Sequence, residues 1–191
     1  MQAIYEYLYH PGVPLKLMGI VLGAGILLSH LWGLFQPKQA KAFLKGFPRN
    51  EKIGIPLVIF CFAWGLMIWT CMDLGEFFKI ERQVQFVIVG VCIGVVILVR
   101  EFIAVRALGF FLILLAAPIL DSAFLQEPKT RLLIVAYAYV IALKGMFWVG
   151  MPYLLRDQIN WILAKDSRYH AGVIAGSVFG AVVLLCALLF W

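Results

Sequence analysis

Apolar positions fall into six runs, 15–35, 55–78, 84–99, 102–125, 132–155 and 171–191, separated by short polar stretches. All but the third reach about 20 residues, the length an α-helix needs to cross a bilayer core of roughly 30 Å. A soluble core has no use for repeated runs of that length, and a soluble reading leaves large apolar patches exposed. The third and fourth runs are parted only by Arg100, Glu101 and Arg106, with neither Gly nor Pro to make a tight turn. One straight helix over 84–125 would be roughly 60 Å long, twice a bilayer core. Two spans joined by a charged turn are therefore predicted, with a pair of half-inserted helices as the alternative.

Two of the polar stretches carry a helical stripe. Ala40, Phe43, Leu44 and Phe47 fall at i, i+3, i+4, i+7, with Lys38, Lys41 and Lys45 opposite. Leu155, Ile159, Ile162 and Leu163 form a second stripe, with Arg156, Asp157 and Asn160 turned away. Amphipathic helices are predicted over about 37–47 and 152–164, suited to a membrane surface. Each starts at a proline, Pro37 or Pro152, a good first helical residue. Each leads to a glycine, Gly54 or Gly172, at the next span. This shared plan of span, proline, surface helix, glycine and span has the form of an internal repeat flanking the middle hairpin.

Charge sets the orientation. With six spans, the loops 36–54, 100–106 and 156–170 share one side and hold Lys38, Lys41, Lys45, Arg49, Lys52, Arg100, Arg106, Arg156, Lys165 and Arg168. The other side holds Lys16, Lys79, Arg82, Lys129 and Arg131. The basic side is expected in the cytoplasm, with both termini outside the cell membrane. This bias accounts for the net charge of +6 better than nucleic-acid binding does. Residues before Gly12 lack a basic leader, so the first span is expected to act as the insertion signal. Composition agrees: 64% of the 191 residues are hydrophobic and 14% charged, against roughly half and a quarter in soluble domains. The chain is thus expected to be an all-α integral membrane protein. It has about six transmembrane helices in three out-in-out hairpins and two cytoplasmic-surface amphipathic helices, as one transmembrane domain over 1–191.

Small residues at helical spacing let helices approach closely in lipid. Gly172, Gly176 and Gly180 form the longest such series, and Gly19 with Gly23 and Gly90 with Gly94 form shorter ones. They are expected to be packing faces, within the bundle or toward another subunit. Lys144 lies roughly 18 Å into the fifth span, 12 residues past Leu132. A charge there is costly and often functional, although its long stem can also snorkel to the surface. Asp121 follows Pro118, which loosens the fourth span and could expose the carboxylate to a polar cavity. Asp73 and Glu76 read as interfacial, and Arg100, Glu101 and Arg106 as a solvated turn. His30 lies in the first span. A membrane His can ligate haem or a chlorin, but paired ligation needs a second His at depth, and His10 and His170 sit in loop or interface positions. A hydrogen-bonded or interfacial His is the reading preferred.

Cys61, Cys71, Cys92 and Cys186 all lie in apolar runs without CxxC spacing, as packing residues do. Phosphate-loop, nucleophile-elbow and zinc-helix motifs are absent, and no metal site is expected. The lead expectation is a non-catalytic membrane subunit or scaffold whose partners are the bilayer and other membrane subunits or copies of itself. A small solute or ion transporter using Lys144 is the alternative. A lipid-modifying enzyme is the third, with Lys38, Lys41, Lys45, Arg49 and Arg156 as headgroup contacts.

Overall fold

Prolines set where the first helices stop. The ring of a proline crowds the residue before it out of the α region. Gln36 (φ −125°, ψ 60°) and Met151 (φ −129°, ψ 72°) adopt almost the same break before Pro37 and Pro152. The computed structural model describes residues 2–9, 12–72, 75, 80–98 and 101–191. His10, Asp73, Glu76, Lys79 and Arg100 lie outside the described residues.

The elements in chain order are α1 (Gln2–Tyr9), α2 (Leu15–Phe35), α3 (Pro37–Gly46), α4 (Glu51–Cys71), α5 (Glu81–Leu98), α6 (Ile103–Ala123), α7 (Leu132–Gly150), α8 (Tyr153–Leu163) and α9 (Asp166–Leu189). Short 3-10 turns at Phe47–Arg49 and Lys129–Arg131 precede α4 and α7. All are helical, and α2, α4, α6, α7 and α9 are long and apolar enough to span a membrane. The third predicted run forms α5, whose apolar part, Arg82–Leu98, is shorter than the other five. The fifth run breaks at Met151 rather than continuing to 155, and α9 starts at Asp166, ahead of its apolar run. Helix α1 was not predicted; it lies over the ends of α4 and α6.

The Asn50 side chain accepts from the Ile53 amide at 3.3 Å and caps α4. The turn into α6 uses no glycine because Phe102 takes the left-handed conformation (φ 56°). Its ring is held beside Val105 and Leu155, with the Arg156 guanidinium 6.0 Å from its centroid. Arg106, expected in the solvated turn, instead sits in the first turn of α6 with Nε buried and unpartnered.

Helix α6 is the central element. It packs against α7 and α4, while α2 lies along α9, and α5 leans on α4. The arms of the three predicted hairpins are therefore not the extensive pairs. Helices α3 and α8 intervene in the chain between α2 and α4 and between α7 and α9, and α7 still meets α9 where the Tyr137 and Phe179 rings lie 5.4 Å apart. The likeness of the two proline junctions does not extend to packing, since α2 lies on α9 and α7 on α6. Val13, Leu15, Met18 and Val183 of the α2–α9 pair meet Ala116, Ile119 and Ala138 of the α6–α7 pair in one core.

Helices α3 and α8 match their predicted ranges and touch each other at one end of the bundle. Their stripes face protein: Ala40 packs with Tyr169 and Val173, and Leu155 and Ile159 pack with Val105. The predicted apolar faces are thus covered largely by the chain's own helices, while Phe43, Tyr153 and Trp161 stay exposed. The 3-10 turn at Phe47–Arg49 and the start of α6 join them, which gathers the basic loops at one end.

Candidate functional site

The predicted glycine faces divide into two sets. Four glycines close the α2–α9 crossing. A methyl group on Gly23 would lie 2.7 Å from the Leu184 nitrogen, and one on Gly180 would lie 2.7 Å from the Leu27 nitrogen. Gly19 faces Ala187 and Trp191, and Gly176 lies flat against the His30 ring. These four positions face the chain's own helices, the within-bundle alternative of the expectation. Gly172, Gly90 and Gly94 have open space where a Cβ would stand, so they pack against nothing among the described residues.

On α5, Val87, Gly90, Val91, Gly94 and Leu98 share one helical face at i, i+3, i+4, i+7, i+11. None of the described α5 residues whose side chains are placed is buried. Exposed valines are ordinary on a lipid-facing helix; a backbone-deep notch is not, because lipid chains fill it poorly. Beside it, α4, α5 and α6 leave an apolar groove of about 280 Å³, lined by Gly65, Trp69, Ile88, Phe110 and Ile113.

The polar candidates separate toward opposite ends. Asp121 lies far from the basic end. Its Oδ2 is buried without a hydrogen-bond partner among the described residues and abuts Gly12, where φ is +83°. Nearby, Trp64 Nε1 donates to Tyr9 Oη at 3.1 Å. Burial, outweighing that bond, pushes the Tyr9 phenol above its ordinary pKa, so the hydroxyl stays neutral.

Lys144 is near the other end. Gly145 crosses Gly109, which precedes Asp121 by 12 residues (121 − 109), roughly 18 Å of helix. Lys144 and Asp121 therefore do not meet in one polar cavity, as a shared transport site would require. Lys144 is six residues from the end of α7 at Gly150, roughly 9 Å. It is exposed, and no hydrogen bond or ion pair holds it among the described residues. It borders a groove along α8 with Asp157, Gln158 and Trp161, and a cavity of about 550 Å³ that reaches α2, α3 and α9.

His30 enters that cavity from α2. Its Nδ1 is 2.8 Å from the Ile26 carbonyl, which can only accept, so Nδ1 carries the proton. Ser29 Oγ donates to the same carbonyl at 2.8 Å. The remaining Nε2 sits on the Gly176 side. His170 is exposed on α9 with Nδ1 2.8 Å from the Asp166 carbonyl. Among the described residues no three His, Cys, Asp or Glu side chains cluster as metal ligands would.

Of the predicted headgroup contacts, Lys38, Lys45 and Arg49 are exposed. Lys41 instead bonds Asp166 at 2.6 Å and lies 4.7 Å above the Tyr169 ring, tying α3 to α9. Arg156 pairs with Asp157 at 2.8 Å. Beneath Lys41, Tyr169 Oη donates to the Gly33 carbonyl at 2.8 Å. The cysteines are free; Cys61 is buried and donates weakly to the Ala107 carbonyl at 3.6 Å.

Five helices long and apolar enough to span a membrane, with a shared core rich in alanine and isoleucine, are compatible with a polytopic membrane protein. Comparison with protein-family models, characterised proteins and solved structures finds no match to this chain.

Proposed function

We propose that the chain is a non-catalytic subunit of the cytoplasmic membrane that packs against another membrane protein through α5. In this reading α5 is a sixth span, the basic end carrying α3 and α8 faces the cytoplasm, and both termini lie outside. The observation that carries the reading is the open Gly90–Gly94 notch on a helix whose one extensive neighbour among the described residues is α4. A small-residue face of this kind admits a second helix to backbone contact. The chain packs Gly19, Gly23, Gly176 and Gly180 internally and leaves Gly90 and Gly94 unfilled among the described residues. The largely apolar interior, where Ser122 is the one fully buried polar residue among the described residues, fits a packing role better than a conduit.

The test is photocrosslinking in native membranes from an unnatural residue at Val87 or Val91, with Val178 on α9 as an exposed control. A discrete protein adduct is expected from both α5 positions and from neither control nor α5 in a Gly90→Leu chain. Position 90 has room for leucine in the isolated chain, so loss of the adduct reports on the partner and not on folding. Adduct mass separates a second copy from a different subunit. Lipid-only labelling from α5 would overturn the assignment.

A further inference from the structure

We propose that the cavity between α2, α3, α7, α8 and α9 binds one anionic phospholipid, with its phosphate on Lys144 and its glycerol and upper acyl segments along the apolar wall. This site is independent of the α5 surface. Its volume, about 550 Å³, falls within the range of small-ligand sites.

The case rests on charge and depth. Lys41, which lies over the ring of the cavity residue Tyr169, is neutralised by Asp166. Arg156 is matched to Asp157 on α8. Lys144 forms no ion pair among the described residues, the nearby Asp157 being taken by Arg156, though it lies on a spanning helix where an unpaired ammonium is costly. It stands roughly 9 Å from the end of α7, the depth of a phosphate and glycerol drawn slightly inward. His30, roughly 7.5 Å from the end of α2, enters at the same level. With Nδ1 held by Ile26, its remaining polar atom is Nε2.

The walls decide between a lipid and a free anion. Trp32, Phe43, Leu44, Ile162 and Val173 line the same cavity, and both Trp32 and Phe43 are exposed at its mouth. Inorganic phosphate would gain nothing from that surface, whereas an acyl ester would cover it. Tyr169 closes the floor, its hydroxyl already committed to Gly33. Gly172 at the rim leaves the space over α9 empty.

The experiment is native mass spectrometry of the full chain in mild detergent, delipidated and then titrated with phosphatidylglycerol or phosphatidylcholine. One retained phosphatidylglycerol is expected, held at least about tenfold more tightly than phosphatidylcholine, the usual size of a charge-assisted contact. Lys144→Gln and Gly172→Leu are each expected to weaken retention by a similar factor. Gly172→Leu removes no contact of the chain and meets open space, so it distinguishes a blocked site from a misfolded protein. Equal retention by wild type and both variants, or equal retention of the two lipids, overturns the site. Displacement by millimolar inorganic phosphate overturns the lipid assignment and makes it a free-anion site.

Discussion

Leucine at position 145 or 109 is expected to destabilise the folded chain by about 3 kcal/mol, the upper range for overpacking a filled interior. The two glycines face each other where α6 crosses α7. A methyl group on Gly109 would stand 2.7 Å from the Gly145 carbonyl oxygen, and one on Gly145 would stand 2.6 Å from the Gly109 oxygen. Neither obstruction is a flexible side chain, so relief requires the helices to part. Parting them would loosen the core formed by Ala116, Ile119, Ala138 and Ile141. Thermal unfolding in detergent measures the effect. Gly25→Leu and Gly65→Leu are the controls, since both sites are open and leucine's helix propensity exceeds glycine's by up to about 1 kcal/mol. A Gly145→Leu chain as stable as the controls would show that the α6–α7 crossing is not as close as described.

That crossing also shows where the sequence was hard to read. The search for small residues four apart found Gly19 with Gly23 and Gly176 with Gly180, and these do close α2 against α9. Gly109 and Gly145 have no such companion. Their signal is a seven-residue spacing, Gly109, Ala116 and Ala123 on α6 and Ala138 and Gly145 on α7, all buried. Seven residues is two turns, so these positions share a face. The same four-residue rule grouped Gly172 with Gly176 and Gly180, although Tyr169 and Val173 are the residues that meet α2 at Gly33 and the space at Gly172 stays empty.

The apolar runs and the two surface helices were legible because period and punctuation agree. Proline stops each long helix, and a stripe resumes directly after it. Pair partners were not legible. Hairpin order places α2 beside α4, but α3 intervenes, and α2 finds α9 through glycines more than 150 residues away in the chain. The charged turn at 100–106 was misread in part because its left-handed residue is Phe102, a residue type that carries no turn signal. Lys144 was legible as a charge on a long apolar helix. Its neighbours at the cavity were not, because they come from four other helices.

Removing the Tyr169 hydroxyl is expected to destabilise the chain by about 1–3 kcal/mol, the cost of leaving a buried carbonyl without a donor. The reason lies in the sequence of α2. The Gly33 carbonyl would ordinarily accept from the amide four residues on, and that residue is Pro37, which has no N–H. Tyr169 Oη supplies the missing donor across the α2–α9 interface at 2.8 Å. One hydroxyl thus completes the last turn of α2, fixes α9 against it and supports the ring over which Lys41 lies. The argument predicts coupling as well as loss. In a Pro37→Ala background the chain regains an amide at position 37, and part of the Tyr169→Phe penalty should disappear. The double-mutant cycle, read by unfolding in detergent, is expected to show the two changes less harmful together than their sum. Strict additivity would mean that the tyrosine contributes only packing, and that the α2 terminus is completed by some other donor.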